Sequence, residues 1–223
     1  MKKQGKRSIA AGVALVIIFA VFTWLVQTVD VQPLGVNGTN IGFAALNTAF
    51  HKLCGVHMAL YTITDWLGLV PFFVAAVFGT VGLIQLIRRR SLRKVDADIL
   101  VLGVHYLVVI ALYLAFEMIP INYRPILIEG AMEVSYPSST TLLVLGIMPT
   151  LWEQVDRRWK AGMAKTVTQA LTLVFSGFMV IGRLISGVHW LSDIIGGALL
   201  STGLVVLYGW INSYIRHRTA QKV

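Results

Sequence analysis

Apolar residues in this chain gather into six long runs, at about 8–29, 65–87, 98–118, 138–155, 164–182 and 190–213. Each approaches the roughly 20 residues needed to cross a hydrocarbon core of ~30 Å. The pattern predicts an all-α, six-transmembrane helical bundle, with residues 1–223 forming a single integral membrane domain. The fourth run is the shortest, and Pro149 is placed to kink or end it. Residues 30–64 form the first long connection and open on the turn-forming run Gly35-Val36-Asn37-Gly38-Thr39-Asn40. Beyond it, Asn47, Thr48, His51, Lys52 and Gly55 recur at helical spacing opposite Ala45, Leu46, Ala49, Phe50, Leu53 and Cys54. That segment is expected to be an amphipathic helix lying in the membrane interface.

Composition agrees with the runs. The chain is 57% hydrophobic and 13% charged, with a mean hydropathy of +0.75, which excludes a soluble domain of this length. A net charge of +9 could signal nucleic-acid binding, but the positions of the cations argue against such a partner. Lys2/Lys3/Lys6/Arg7, Arg88/Arg89/Arg90/Arg93/Lys94, Arg157/Arg158/Lys160/Lys165 and Arg216/Arg218/Lys222 all flank apolar runs. With six spans they fall on one side, which the positive-inside rule makes cytoplasmic, and both termini share it. A place in the cell membrane is expected. The basic start and first apolar run resemble a signal peptide, but the run is too long and 28–33 offers no small-x-small cleavage site, so it reads as a retained span. Cys54 is the only cysteine, so no intrachain disulfide can form.

Only Lys52, Arg124 and Arg183 remain for the outer side. Arg183 begins the most informative stretch of the chain, where His189 and Asp193 follow at the join between the fifth and sixth runs. Charged groups at a membrane edge are expensive and mark a functional site by default. Two other segments fall on the same face: Asn122-Tyr123-Arg124-Pro125 after the third run, and Tyr136-Pro137-Ser138-Ser139-Thr140-Thr141 at the start of the fourth.

These three segments resemble the motifs of the type 2 phosphatidic acid phosphatase (PAP2) superfamily of integral-membrane lipid phosphatases: Lys-x6-Arg-Pro, Pro-Ser-Gly-His and Ser-Arg-x5-His-x3-Asp. Arg124-Pro125 matches the end of the first, Pro137-Ser138 the start of the second, and Arg183, His189 and Asp193 the third. The chain departs from the pattern at Glu117, where the family has Lys, at Ser139 and Thr140, where it has Gly and His, and at Gly182, where it has Ser. The resemblance implies that His189 attacks phosphorus to form a phosphohistidine. It also implies that the histidine absent at Thr140 is the acid for the leaving alcohol.

The residue types suit that chemistry. Arg124 and Arg183 can each offer a two-pronged fork to phosphate oxygens. Pro137 suits the first position of a helix, and Ser138, Ser139 and Thr140 would then present N–H groups at a helix N-terminus, a ready anion site. Asp193, four residues beyond His189, can fix its tautomer and stabilise the cationic intermediate. The scheme needs neither a cofactor nor a metal, and a metal set of His51, His57, Asp65 and His189 lacks the helical spacing of paired ligands. An alkoxide leaves poorly without an acid, whereas a phosphate leaves readily. Thr140 therefore points to a prenyl diphosphate or to a substitute acid, with Glu117, His57 and His51 as candidates.

The expected activity is metal-independent hydrolysis of a phosphate or diphosphate lipid. Two alternatives stay open: a non-catalytic protein that binds lipid phosphates, and a phosphotransferase that passes the group to a second hydroxyl.

Overall fold

The computed structural model describes residues 2–220, without the side chains of Lys2, Lys3, Gln4, His217, Thr219 and Ala220. The expected flanking cations Lys222 and the side chains of Lys2 and Lys3 lie outside the described residues. Eight α-helices follow one another: α1 (Lys2–Thr28), α2 (Ala44–Cys54), α3 (Met58–Leu67), α4 (Val70–Arg89), α5 (Ala97–Met118), α6 (Ser139–Arg158), α7 (Met163–Ile185) and α8 (Leu191–Ala220). Two short 3-10 helices (Val36–Gly38 and Leu92–Lys94) and isolated β-bridges lie between them among the described residues.

Among the described residues, five segments are long and apolar enough to cross a membrane: Gly5–Thr28, Met58–Arg89, Ala97–Met118, Met163–Ile185 and Leu191–Arg216. Their outward faces are apolar, with Trp66, Phe73, Leu107 and Val174 largely exposed. A continuous belt of such side chains is untenable in water but is the ordinary surface of a helix in lipid. This is an integral membrane bundle.

The sixth long helix, α6, lies inside the others. It packs against α4, α5, α7 and α8, and Leu142, Val144, Ile147, Thr150 and Gln154 are among its buried residues. Because α6 is covered by protein, it can carry polar groups that a lipid-facing helix could not. Tyr106 bonds Thr150 across 2.8 Å, Gln154 donates to Tyr208 at 3.1 Å, and His105 Nε2 donates to the Gly146 carbonyl at 2.7 Å. Pro149 does not end this helix as its position suggested, since α6 continues to Arg158. Flanking helices enclose the residues around it and hold the rod together.

The second run starts earlier than its hydropathy implied. Met58–Arg89 is one apolar segment with a break at Gly68–Leu69, whereas 65–87 was expected. Tyr61, Thr62 and Thr64 made its first turns look like loop. The threonine hydroxyls return to the backbone carbonyls of Met58 and Leu60, which removes the cost of their polarity.

At one end of the bundle the basic clusters meet acidic partners. Arg158 pairs with Asp98 at 2.6 Å, Lys165 with Asp156 at 2.9 Å and Arg216 with Glu153 at 3.9 Å. The opposite end carries α2 and the connections that follow α5 and α7. Helix α1 is seated along α8, where Gly12 and Gly203 allow close approach to Leu207 and Val16.

Candidate active site

The connection after α5 folds back on itself. Tyr123 pairs with Val134 and Ile128 with Ala131 in antiparallel bridges. Glu129 and Gly130 turn the chain with φ of 50° and 80°, the left-handed pair that a tight hairpin requires. This hairpin carries Asn122 and Arg124 to the end of the helical core. Its Tyr123 carbonyl accepts the Trp190 indole N–H at 2.7 Å, which fastens it to the segment before α8.

The segment between α7 and α8 is fastened from a second direction by α2. Asn47 is buried; its side-chain oxygen accepts the Ser192 amide at 3.1 Å and its amide nitrogen donates to Ser192 Oγ at 2.9 Å. His51 Nε2 donates to the Gly187 carbonyl at 3.0 Å. The polar side of α2 thus faces the protein, while Leu46 and Leu53 on its other side are exposed. Gly187 has φ of 72°, and a Cβ there would overlap the Gly55 carbonyl oxygen. Gly187→Ala is expected to cost about 1–3 kcal/mol from the backbone conformation alone, read as a lowered Tm of the purified protein.

Within this frame Arg183 is 2% exposed and its guanidinium is divided among three partners. Nε donates to Thr140 Oγ1 at 2.9 Å and Nη2 to Asp65 Oδ1 at 2.9 Å. The plane lies over the Tyr61 ring at 5.0 Å. Arg124 lies over the same ring at 5.6 Å, so one tyrosine gathers both cations. Arg124 Nε stands 3.0 Å from Glu133 Oε2 without hydrogen-bond alignment. Glu117, a candidate substitute acid, is exposed at the end of α5.

His189 is 3% exposed. Its Nδ1 lies 3.6 Å from Asp193 Oδ2, an ion-pair distance and not a hydrogen bond. Asp193 is itself held by the Trp190 amide at 2.9 Å and by Asn122 at 3.5 Å. Burial first, and then the Arg124 and Arg183 cations, hold the imidazole well below the ordinary histidine range. The neutral ring, with an available nitrogen lone pair, is thereby favoured. Nitrogen-15 spectra of histidine-labelled protein at pH 6 are expected to show His189 as a neutral ring. A signal half-protonated near pH 6.5 would contradict the geometry.

Ser138 caps α6, its hydroxyl accepting the Thr141 amide at 3.4 Å and the Thr141 hydroxyl at 3.1 Å. Its own amide donates to the Asp193 carbonyl at 3.0 Å. Pro137 stands before this cap, after a cis peptide bond, and not at the first helical position. Ser138 therefore organises the site, and the first-turn amides of Ser139 and Thr140 remain for an anion. His57 is exposed, with Nε2 donating to the Cys54 carbonyl at 2.9 Å. Asp65 and Tyr61, missed as site residues in the sequence, enter from α3 one helical turn apart.

Among the described residues, five buried nitrogens here lack a hydrogen-bond partner: Arg124 Nε and Nη1, Arg183 Nη1, and both nitrogens of His189. Buried polar groups are ordinarily satisfied. Three of these atoms belong to two fixed cations and two to a buried imidazole, a set complementary to a multiply charged oxyanion.

The fold and the site define an integral-membrane helical bundle with two buried arginines, a buried histidine and a buried aspartate gathered at one end of its core. The family model of the PAP2 superfamily matches residues 72–216, and the chain belongs to that superfamily. Its fold is similar to the crystal structure of a transmembrane PAP2-type phosphatidylglycerolphosphate phosphatase from Bacillus subtilis. The TM-score is 0.60 at 18% identity, over 92% of this chain and 96% of that one. None of the curated proteins compared matches the chain.

Proposed function

We propose that the protein is a membrane lipid phosphatase that cleaves a phosphate or diphosphate lipid through a phosphohistidine on His189. The observation that carries this reading is that Arg124, Arg183 and His189 are buried together with nitrogens that have no hydrogen-bond partner, both arginines lying over the Tyr61 ring. Family membership supports it, and so does the phosphatase activity of the B. subtilis protein of similar fold.

In this reading Arg124, Arg183 and the Ser139 and Thr140 amides hold the phosphoryl oxygens and offset their charge, the main demand of phosphoryl transfer. His189 Nε2 attacks phosphorus, because Nδ1 faces Asp193. As the ring becomes cationic, the pair separated by 3.6 Å in the resting protein closes, since active-site contacts often tighten only in the reacting complex. Water then attacks the phosphohistidine and releases phosphate. Six membrane crossings follow if α6 is counted with the five apolar segments. The basic ends are then cytoplasmic, the site is on the outer side, and α2 rests at the interface with Leu46 and Leu53 toward lipid. Replacement of the family's histidine by Thr140 favours a diphosphate lipid such as a prenyl diphosphate, whose leaving group needs little acid assistance.

The test is phosphate release by detergent-purified protein from matched lipid mono- and diphosphates. Release is expected from both classes, faster from the diphosphate. Binding of both without release would favour a non-catalytic lipid-phosphate receptor, a reading to which Thr140 lends specific support. Phosphate delivered to an acceptor alcohol in place of water would indicate a transferase.

A further inference from the structure

We infer that Asp65 is the proton donor to the leaving group, taking in this chain the part left vacant by Thr140. The inference rests on the phosphatase reading above.

Three placements carry it. Asp65 Oδ1 and Thr140 Oγ1 bind the same guanidinium, Asp65 through Nη2 and Thr140 through Nε. A phosphate oxygen bound at the unpartnered Nη1 of Arg183 would therefore neighbour the Asp65 carboxyl. Asp65 is also the accessible member of the cluster, with its side chain 53% exposed beside an Arg183 that is 2% exposed. A proton can reach it from outside without crossing the buried site. Finally, Tyr61 lies beneath both arginines one turn before Asp65 on the same helix, so the carboxyl stands at the edge of the cationic cluster.

The groups facing Asp65 are Arg183 from α7, Tyr61 from its own helix and Tyr113 from α5. Tyr61 keeps both arginines stacked, so the cations stay in place while the carboxyl changes protonation. In the first step the His189 nitrogen–phosphorus bond forms, the phosphorus–oxygen bond to the alcohol breaks, and that oxygen takes the Asp65 proton. In the second step water adds to phosphorus, its proton passes to the Asp65 carboxylate, and the nitrogen–phosphorus bond breaks. Protons and electron pairs balance over the cycle.

Asp65→Asn tests this without removing the acceptor oxygen that binds Arg183. The probes are a saturated long-chain alkyl monophosphate and the matching alkyl diphosphate, compared by kcat/KM, which covers only steps up to departure of the leaving group. The monophosphate is expected to fall about 10²–10⁴-fold, the worth of general acid catalysis, and the diphosphate less than about tenfold. Phosphoenzyme should accumulate with the diphosphate, and Asp65→Glu should recover part of the monophosphate activity. If both substrates lose kcat/KM equally, Asp65 only positions Arg183 and the inference fails. If neither changes, it fails as well. A wild-type protein that cleaves neither substrate would instead overturn the phosphatase reading on which the inference depends.

Discussion

Replacing His189 by alanine is expected to lower kcat by at least about four orders of magnitude, the scale seen when a nucleophile is removed from a preformed site. The fold should tolerate the change. The ring makes no hydrogen bond of good geometry, its nearest polar neighbours being Asp193 and the Ser135 backbone, so truncation removes little that holds the fold. Asp193 keeps the Trp190 amide and Asn122. Substrate binding should survive, because Arg124, Arg183 and the α6 N-terminus are untouched. The expected signature is therefore a collapse of kcat with lipid-phosphate affinity changed less than about tenfold. A variant with half the wild-type rate would remove His189 from the chemistry.

The second large effect is expected at Arg183. Its three nitrogens do three different things: Nε holds Thr140, Nη2 holds Asp65, and Nη1 is left for the anion. Lysine preserves the charge but supplies a single ammonium on a flexible stem, which cannot occupy all three directions at once. Arg183→Lys is expected to reduce kcat/KM by about 10²–10³-fold, comparable to losing a transition-state donor. Arg124→Lys should cost less, since Arg183 also fixes Thr140 and Asp65 through Nε and Nη2, whereas Arg124 Nε and Nη1 hold no other residue by a hydrogen bond. Steady-state kinetics of the two variants on one lipid phosphate would check the order. Equal losses would mean that Arg183 contributes charge alone.

Much of the architecture could be read from the chain because lipid imposes a simple demand. A helix facing the bilayer must be apolar throughout, and five such segments stand out in the structure. Arg183, His189 and Asp193 were legible for a related reason: charge at a membrane edge is costly, and their spacing sits on one short turn leading into α8. Arg124 lies beside them in the structure, and its acidic neighbour is Glu133, across the hairpin. Hairpin pairing of that kind is decided by turn geometry at Glu129 and Gly130, which hydropathy does not register.

Asp65 was harder to see. It stands 118 positions from Arg183, and nothing local announces that α3 packs against α7. The available clue was an acidic residue within an apolar run, one helical turn beyond a tyrosine. Helix α2 shows another limit: the periodicity divided its polar and apolar faces but could not say that Asn47 and His51 would turn inward, to hold the segment before α8. Which face is buried depends on what the rest of the chain offers it. Here that was a loop with free polar groups, not solvent.

The most direct measurement is rapid quenching of the protein with a lipid phosphate labelled with phosphorus-32, followed by separation under alkaline conditions, where phosphohistidine survives, and peptide mapping. The account predicts label on His189, lost on acid treatment and absent from His189→Ala. Turnover of the labelled lipid with no label on the protein, or label on a hydroxyl residue, would contradict it.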